Sequence, residues 1–154
     1  MNQADIFEDQ INDLSQKSKH AEKCPHCGQT VKVYRRRIYA AMVKALASLY
    51  RAVDGKPDKY VHVSKIYDKT TCGDFAKLKY WGLIDELDKV DGATRTSGFW
   101  RITERGIDFL QGKIRVAKYA FIYNQDLLAL DDKETVSVIE CVAKHFNYAE
   151  LMAR

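Results

Sequence analysis

The chain has 154 residues, 46% of them apolar and 30% charged, with a formal net charge of +4. This size suits one compact domain with small additions at its ends, and the composition excludes a disordered chain. No apolar run approaches the roughly 18 residues of a membrane span, and the acidic, amphipathic stretch Met1–Asp13 lacks the basic-then-apolar order of a secretory signal. The expectation is a cytoplasmic protein with reduced cysteines and no membrane partner.

The charge is unevenly placed. Residues 1–23 carry three Lys against five Asp and Glu, residues 29–60 carry eight Lys and Arg against two Asp, and residues 124–154 carry three basic against six acidic groups. A polyanion-binding face between acidic ends has this pattern, and so does a chain whose ends pack on its own basic surface.

In chain order, Ile6, Phe7, Ile11 and Leu14 repeat at helical spacing and predict a short amphipathic helix over residues 5–16. The polar stretch 15–23 reads as a linker. Cys24-Pro25-His26-Cys27-Gly28 follows, and then the alternating, strand-like run Thr30–Tyr34. Arg35, Arg36 and Arg37 open a predicted helix over residues 36–53, with Ile38, Met42, Leu46, Leu49, Tyr50 and Val53 as its stripe. Turn residues 54–58 end it. Tyr60–Val63 is a short β-branched run, and Ser64 caps a brief helix over residues 65–69. Thr70 and Thr71 cap the next helix, about residues 73–81, which Gly82 stops. Residues 83–87 and 99–103 read as two strands around the polar loop 88–98. Thr103, with Arg105 and Gly106, opens a short helix holding Ile107, Phe109 and Leu110. Residues 114–123 predict a strand. Asp131 or Asp132 caps a last helix with Val136, Ile139, Val142, Ala143 and Phe146 as its stripe.

Phe75-Ala-Lys-Leu-Lys-Tyr-Trp-Gly-Leu-Ile-Asp85, a polar loop, and Gly98-Phe-Trp-Arg-Ile-Thr-Glu-Arg-Gly-Ile-Asp-Phe-Leu110 together resemble the recognition helix, wing and closing helix of the winged helix-turn-helix superfamily. The resemblance covers roughly half the chain. It implies an α+β fold with a winged-helix core over residues 34–112. An N-terminal helix and linker (1–23) and a zinc-knuckle-like segment (24–33) precede that core, and a strand and helix extension (113–154) follows it. The whole chain is also similar to small phage- and prophage-encoded proteins that share a Cys-Pro-x-Cys-Gly-Gln opening followed by arginines, Lys-x-x-Tyr-Trp-Gly-Leu-Ile, Trp-Arg-Ile-Thr and an ending like Phe146–Met152. That second resemblance implies a viral origin, and hence host cytoplasm, with a regulatory or host-directed role that it does not assign.

Cys24 and Cys27 suit one structural zinc ion, because a Cys-x-x-Cys turn points two thiolates and nearby amides at one point. Such a site wants four ligands, and the chain offers no second pair: Cys72 and Cys141 are isolated. His20 is the third candidate, His26 is another, and two copies in a homodimer can share one ion. A metal-free tight turn accounts for the same residues, and a redox role lacks the surrounding βαβ pattern.

For double-stranded DNA the candidate contacts are Arg35, Arg36, Arg37, Lys65, Lys69, Thr70, Thr71, Lys77, Tyr80, Lys89 and Arg95, cations and hydroxyls able to meet phosphates. Arginines at a helix start would oppose its dipole, which hints at an anionic partner. Against base reading, Asp85, Glu86, Asp88 and Asp91 crowd the base of the wing, and no Arg, Asn or Gln sits mid-helix. His62 and His145 read as hydrogen-bonded edge or core residues. Helix capping explains Asp131, Asp132 and Glu134 without a cation. No phosphate loop, dinucleotide fingerprint or nucleophile elbow occurs, so an enzyme is not expected. Two functions compete: a winged-helix DNA-binding transcriptional regulator, and a phage adaptor or inhibitor that binds a host defence or transcription protein.

Overall fold

A computed structural model describes residues 3–66, 74–87, 98–143 and 148–153. In chain order the elements are α1 (Gln3–Lys17), β1 (Glu22–Lys23), β2 (Thr30–Val31), β3 (Tyr34–Arg37), α2 (Ala40–Ala52), β4 (Val61–His62), two 3-10 segments (Val63–Lys65 and Phe75–Trp81), β5 (Ile84–Glu86), β6 (Phe99–Ile102), α3 (Glu104–Leu110), β7 (Val116–Tyr123), β8 (Asp126–Val136), α4 (Val138–Val142) and α5 (Tyr148–Ala153). The chain is α+β. It divides into two compact units, Met1–Arg37 with Ala117–Glu134, and Ile38–Val116 with Thr135–Arg154. The expected C-terminal extension is thereby split between the units. No helix among the described residues is long and apolar enough to cross a membrane.

The first unit is built on a sheet in the order β3-β7-β8, with β3 at its edge. Asn124 and Gln125, at φ 49 and 68°, form the tight turn between β7 and β8. Two successive left-handed residues match the strand twist there. Ile11 and Leu14 of α1 pack with Val33 and Phe121, and Ala129 lies against them. The Lys133 ammonium of β8 donates to the Asn12 side chain at 2.6 Å and lies 3.8 Å from Glu8, tying α1 to the same sheet.

In the second unit, α2 packs against α3, α4, β6 and the Phe75–Trp81 segment. Ala40, Met42, Val43, Ala45, Leu46, Ala47 and Leu49 are all buried, so its apolar surface is wider than one stripe, as befits a central helix. A sheet in the order β4-β6-β5 covers this core. Its pairings place Val61, Trp100, Ile84 and Ile102 on the inner face and His62, Phe99, Asp85 and Arg101 on the outer one. On that outer face His62 meets Phe99 edge-on at 5.1 Å, and Arg101 donates to Asp85 at 2.8 Å.

Several expectations are corrected. Arg35, Arg36 and Arg37 do not open a helix; they lie in β3, hydrogen-bonded to β7 in the register Arg35↔Phe121, Arg36↔Ala120 and Arg37↔Tyr119. The helix starts at Ala40, after Tyr39 in an extended conformation (φ −143°, ψ 170°). Pairing with a strand some 80 residues away outweighs the helical preference of arginine, and the dipole argument for these residues lapses. The run Thr30–Tyr34 is not one strand but β2 and the first residue of β3. The brief helix expected over residues 65–69 starts two residues earlier, at Val63, and its cap is the His62 ring, which accepts from the Ser64 amide at 3.2 Å; residues 67–69 lie outside the described residues.

At the C-terminal end, Asp131 and Asp132 cap no helix; both lie in β8, and Ser137 caps α4 through a reciprocal capping box with Glu140. Asp131 is buried, accepts from the Lys133 amide at 3.1 Å and lies 3.8 Å from the Arg35 guanidinium. Burial of this carboxylate beside an arginine is what strand placement provides and capping would not. Of the expected stripe Val142 is buried as expected, but Ile139 is 57% exposed and Val138, outside that stripe, is buried in its place. Phe146 lies outside the described residues.

Thr103 joins two elements of the second unit. Its hydroxyl accepts from the Gly106 amide at 3.0 Å, capping α3, and donates to the Gly82 carbonyl at 2.6 Å. Thr103→Ala is expected to lower stability by about 1–2 kcal/mol, with Thr103→Ser retaining most of it. The check is a urea midpoint that falls at unchanged denaturant slope; an unmoved midpoint would count against the double role.

Candidate functional site

Among the described residues the densest run of cations is on β3. Tyr34, Arg35, Arg36 and Arg37 are all exposed, and β3 is an edge strand. Alternation puts Tyr34 and Arg36 on one face and Arg35 and Arg37 on the other. Each face carries an aromatic platform. The Arg36 guanidinium lies 4.8 Å from the Tyr34 ring centre, with the Lys32 ammonium 5.3 Å from the same ring. The Arg35 guanidinium lies 3.5 Å from the centre of the Tyr119 ring. A guanidinium held over a ring keeps its in-plane N–H groups open to an anion while losing less side-chain freedom on binding. Arg35 is partly compensated by Asp131, and Lys118 by Glu134 at 3.6 Å. Among the described residues, Arg36 and Arg37 have no carboxylate within ion-pair distance.

The Phe75–Trp81 segment, expected to be an α-helix over 73–81, is a 3-10 helix over its described length. Phe75, Leu78 and Trp81 are buried as expected, and Gly82 ends it at φ 72°. Lys77 is not a free cation: its ammonium donates to Asp74, whose other oxygen accepts from the Tyr39 hydroxyl. The spacing of three between Asp74 and Lys77 was the signal that could have disclosed this pair. Tyr80 is half-buried, with the ammonium of exposed Lys79 5.5 Å from its ring centre, and Lys65 is exposed. Lys79 was not among the expected contacts. Lys69, Thr70, Thr71, Lys89 and Arg95 lie outside the described residues, as do Cys72 and His145.

The Cys24–Cys27 turn closes the β1–β2 ribbon, in which Glu22 pairs with Val31 and Lys23 with Thr30. The Cys24 amide donates to the Gln29 carbonyl at 2.8 Å, and the Gly28 amide to the Cys24 carbonyl at 2.9 Å. Gly28, at φ 73°, takes the left-handed conformation that lets the chain fold back. Hydrogen bonds from the Cys27 and His26 amides, and one from the Cys27 side chain, hold the Cys24 thiol below its ordinary pKa. Cys24 is half-buried and Cys27 exposed. No group of three or more His, Cys, Asp and Glu side chains able to hold an ion forms among the described residues, so neither His20 nor His26 completes a set with the two cysteines. His20 instead lines a cleft of about 280 Å³ together with Leu14, Val31, Val33 and Tyr123. The donors present thus fit half of a tetrahedral thiolate site.

No protein-family model matches the chain, and comparison with curated proteins and with solved structures finds no match.

Proposed function

We propose that the chain is a winged-helix protein of phage type that binds double-stranded DNA, as a transcriptional regulator and not as an enzyme. The observation that carries this reading is the exposed run Arg35–Arg37 on β3, with Arg36 and Arg37 lacking carboxylate partners among the described residues. Such groups gain most from a phosphate backbone, because no internal salt bridge has to be given up. The winged-helix reading is supported by the order of elements in the second unit and by its β4-β6-β5 sheet. The cysteine turn is read as a structural zinc site.

Mobility shift of mixed-sequence duplex DNA across a salt series tests this. Binding at micromolar concentration or tighter is expected, weakening steeply with salt. The triple variant Arg35→Ala, Arg36→Ala, Arg37→Ala is expected to reduce the slope of log K against log salt by about 2–3, close to 0.9 per lost phosphate contact. Absence of binding by the wild-type chain at low salt would overturn the reading.

The second reading, an adaptor or inhibitor of a host defence or transcription protein, is favoured by the internal pairing of Lys77 with Asp74 and Arg101 with Asp85, which leaves less charge for DNA on the second unit. Failure of DNA binding together with a stoichiometric host partner would establish it.

A further inference from the structure

We propose that the Cys24–Cys27 turn binds a thiophilic divalent cation, zinc, between two copies of the chain, each copy supplying both of its thiolates to one tetrahedral four-sulfur site. This rests on the zinc reading above and goes beyond it in naming the remaining ligands.

Three observations converge. The turn brings the two thiols together: the β1–β2 ribbon and the Gly28 reversal hold Cys24 and Cys27 at one tip. Second, the ligand count is short. Structural zinc takes four protein ligands, and the described residues bring no third His, Cys, Asp or Glu to the pair. Third, the tip is open. Residues 21–23 and 25–30 are all exposed, and a methyl group built on Gly28 would meet nothing within 4 Å. The tip therefore leaves its sulfurs open to the same tip of a second copy.

A two-fold axis through the ion would make the contact self-complementary, as closed dimers require. Lys23, adjacent to Cys24 and exposed, supplies positive charge beside a centre of four thiolates and one dication, whose net charge is negative. Binding replaces four S–H bonds by four sulfur–zinc bonds and releases the four protons to solvent, with no change of oxidation state. Affinity therefore rises with pH.

The experiment uses the full chain purified with zinc, and compares metal content with native mass. The expected result is about one zinc per two chains, in a dimer that chelation converts to monomer and added zinc restores. Cobalt substitution is expected to give the absorption of a four-thiolate tetrahedral centre. Cys24→Ser and Cys27→Ser are expected to be monomeric and metal-free, with the circular dichroism of the wild type. One zinc per chain in a monomer would overturn sharing while leaving the zinc reading intact. No zinc in a folded chain would overturn both. A dimer that survives chelation or Cys24→Ser would show that the metal does not bridge it.

Discussion

Truncating Trp81 to alanine is expected to cost about 3–5 kcal/mol, as large-to-small changes at fully enclosed aromatics do. Trp81 is 1% exposed and lies one residue before the left-handed exit at Gly82. Its indole fills the core of the second unit together with Phe75 and Leu78, which leave no measurable surface in solvent. Its carbonyl accepts from Arg105 Nε at 3.0 Å, so the backbone is anchored to α3 and cannot readily collapse into the space left behind. Single domains are stable by only about 5–15 kcal/mol, and the variant should therefore lie near the edge of folding. Urea unfolding followed by the fluorescence of the remaining tryptophan, Trp100, reports on this same unit. Trp81→Phe should recover a large part of the loss; equal stability of wild type and alanine variant would mean that the segment does not form the core described.

Gly106→Ala is expected to be nearly as damaging for the opposite reason. A Cβ at this position would stand 2.2 Å from the Leu83 carbonyl oxygen and 2.8 Å from Ile102 Cγ1. The first of these is backbone, and it is fixed: Leu83 O accepts from the Thr103 amide at 3.1 Å. Separating α3 from the sheet to admit one methyl group would break that bond and loosen the Thr103 cap. A loss of about 3 kcal/mol, the upper part of the range for overpacking, is expected. Gly112→Ala is the control. Gly112 has φ 75° but open space around the added methyl group, so its cost should be limited to left-handed strain, about 1–2 kcal/mol. A thermal midpoint for Gly106→Ala no lower than that of Gly112→Ala would contradict the close approach.

The sequence was informative wherever one short stretch sets its own conformation. Gly82 after Trp81, Thr103 before Glu104, the strand ending at Tyr123 and the Cys24–Gly28 turn all lie close to where their residues suggested. So does α1, whose Ile11 and Leu14 are buried, although Ile6 and Phe7 of the same pattern are exposed. The surface around Arg35–Arg37 was only half legible: the charge could be read, but not its presentation. Tyr34 is a near neighbour of Arg36 in sequence, yet it lies beneath that guanidinium only because alternate residues of a strand share a face. Tyr119 reaches Arg35 only through the pairing of β3 with β7.

By itself, then, the sequence determined the α+β character, the turns and stops, the cysteine pair and the position of the positive charge, because these depend on backbone preferences and residue types over a few positions. Tertiary structure decided that three arginines lie in an edge strand and not in a helix, that Asp131 is a buried partner of Arg35 and not a cap, and that Asp74, the local partner of Lys77, also accepts from Tyr39. The physical reason is the same in each case. Strand pairing, burial of a carboxylate and a hydrogen bond across 35 residues draw their free energy from groups distant in the chain, and that free energy exceeds the few tenths of a kcal/mol, in round terms about 0.5, by which arginine or aspartate prefers one local conformation over another.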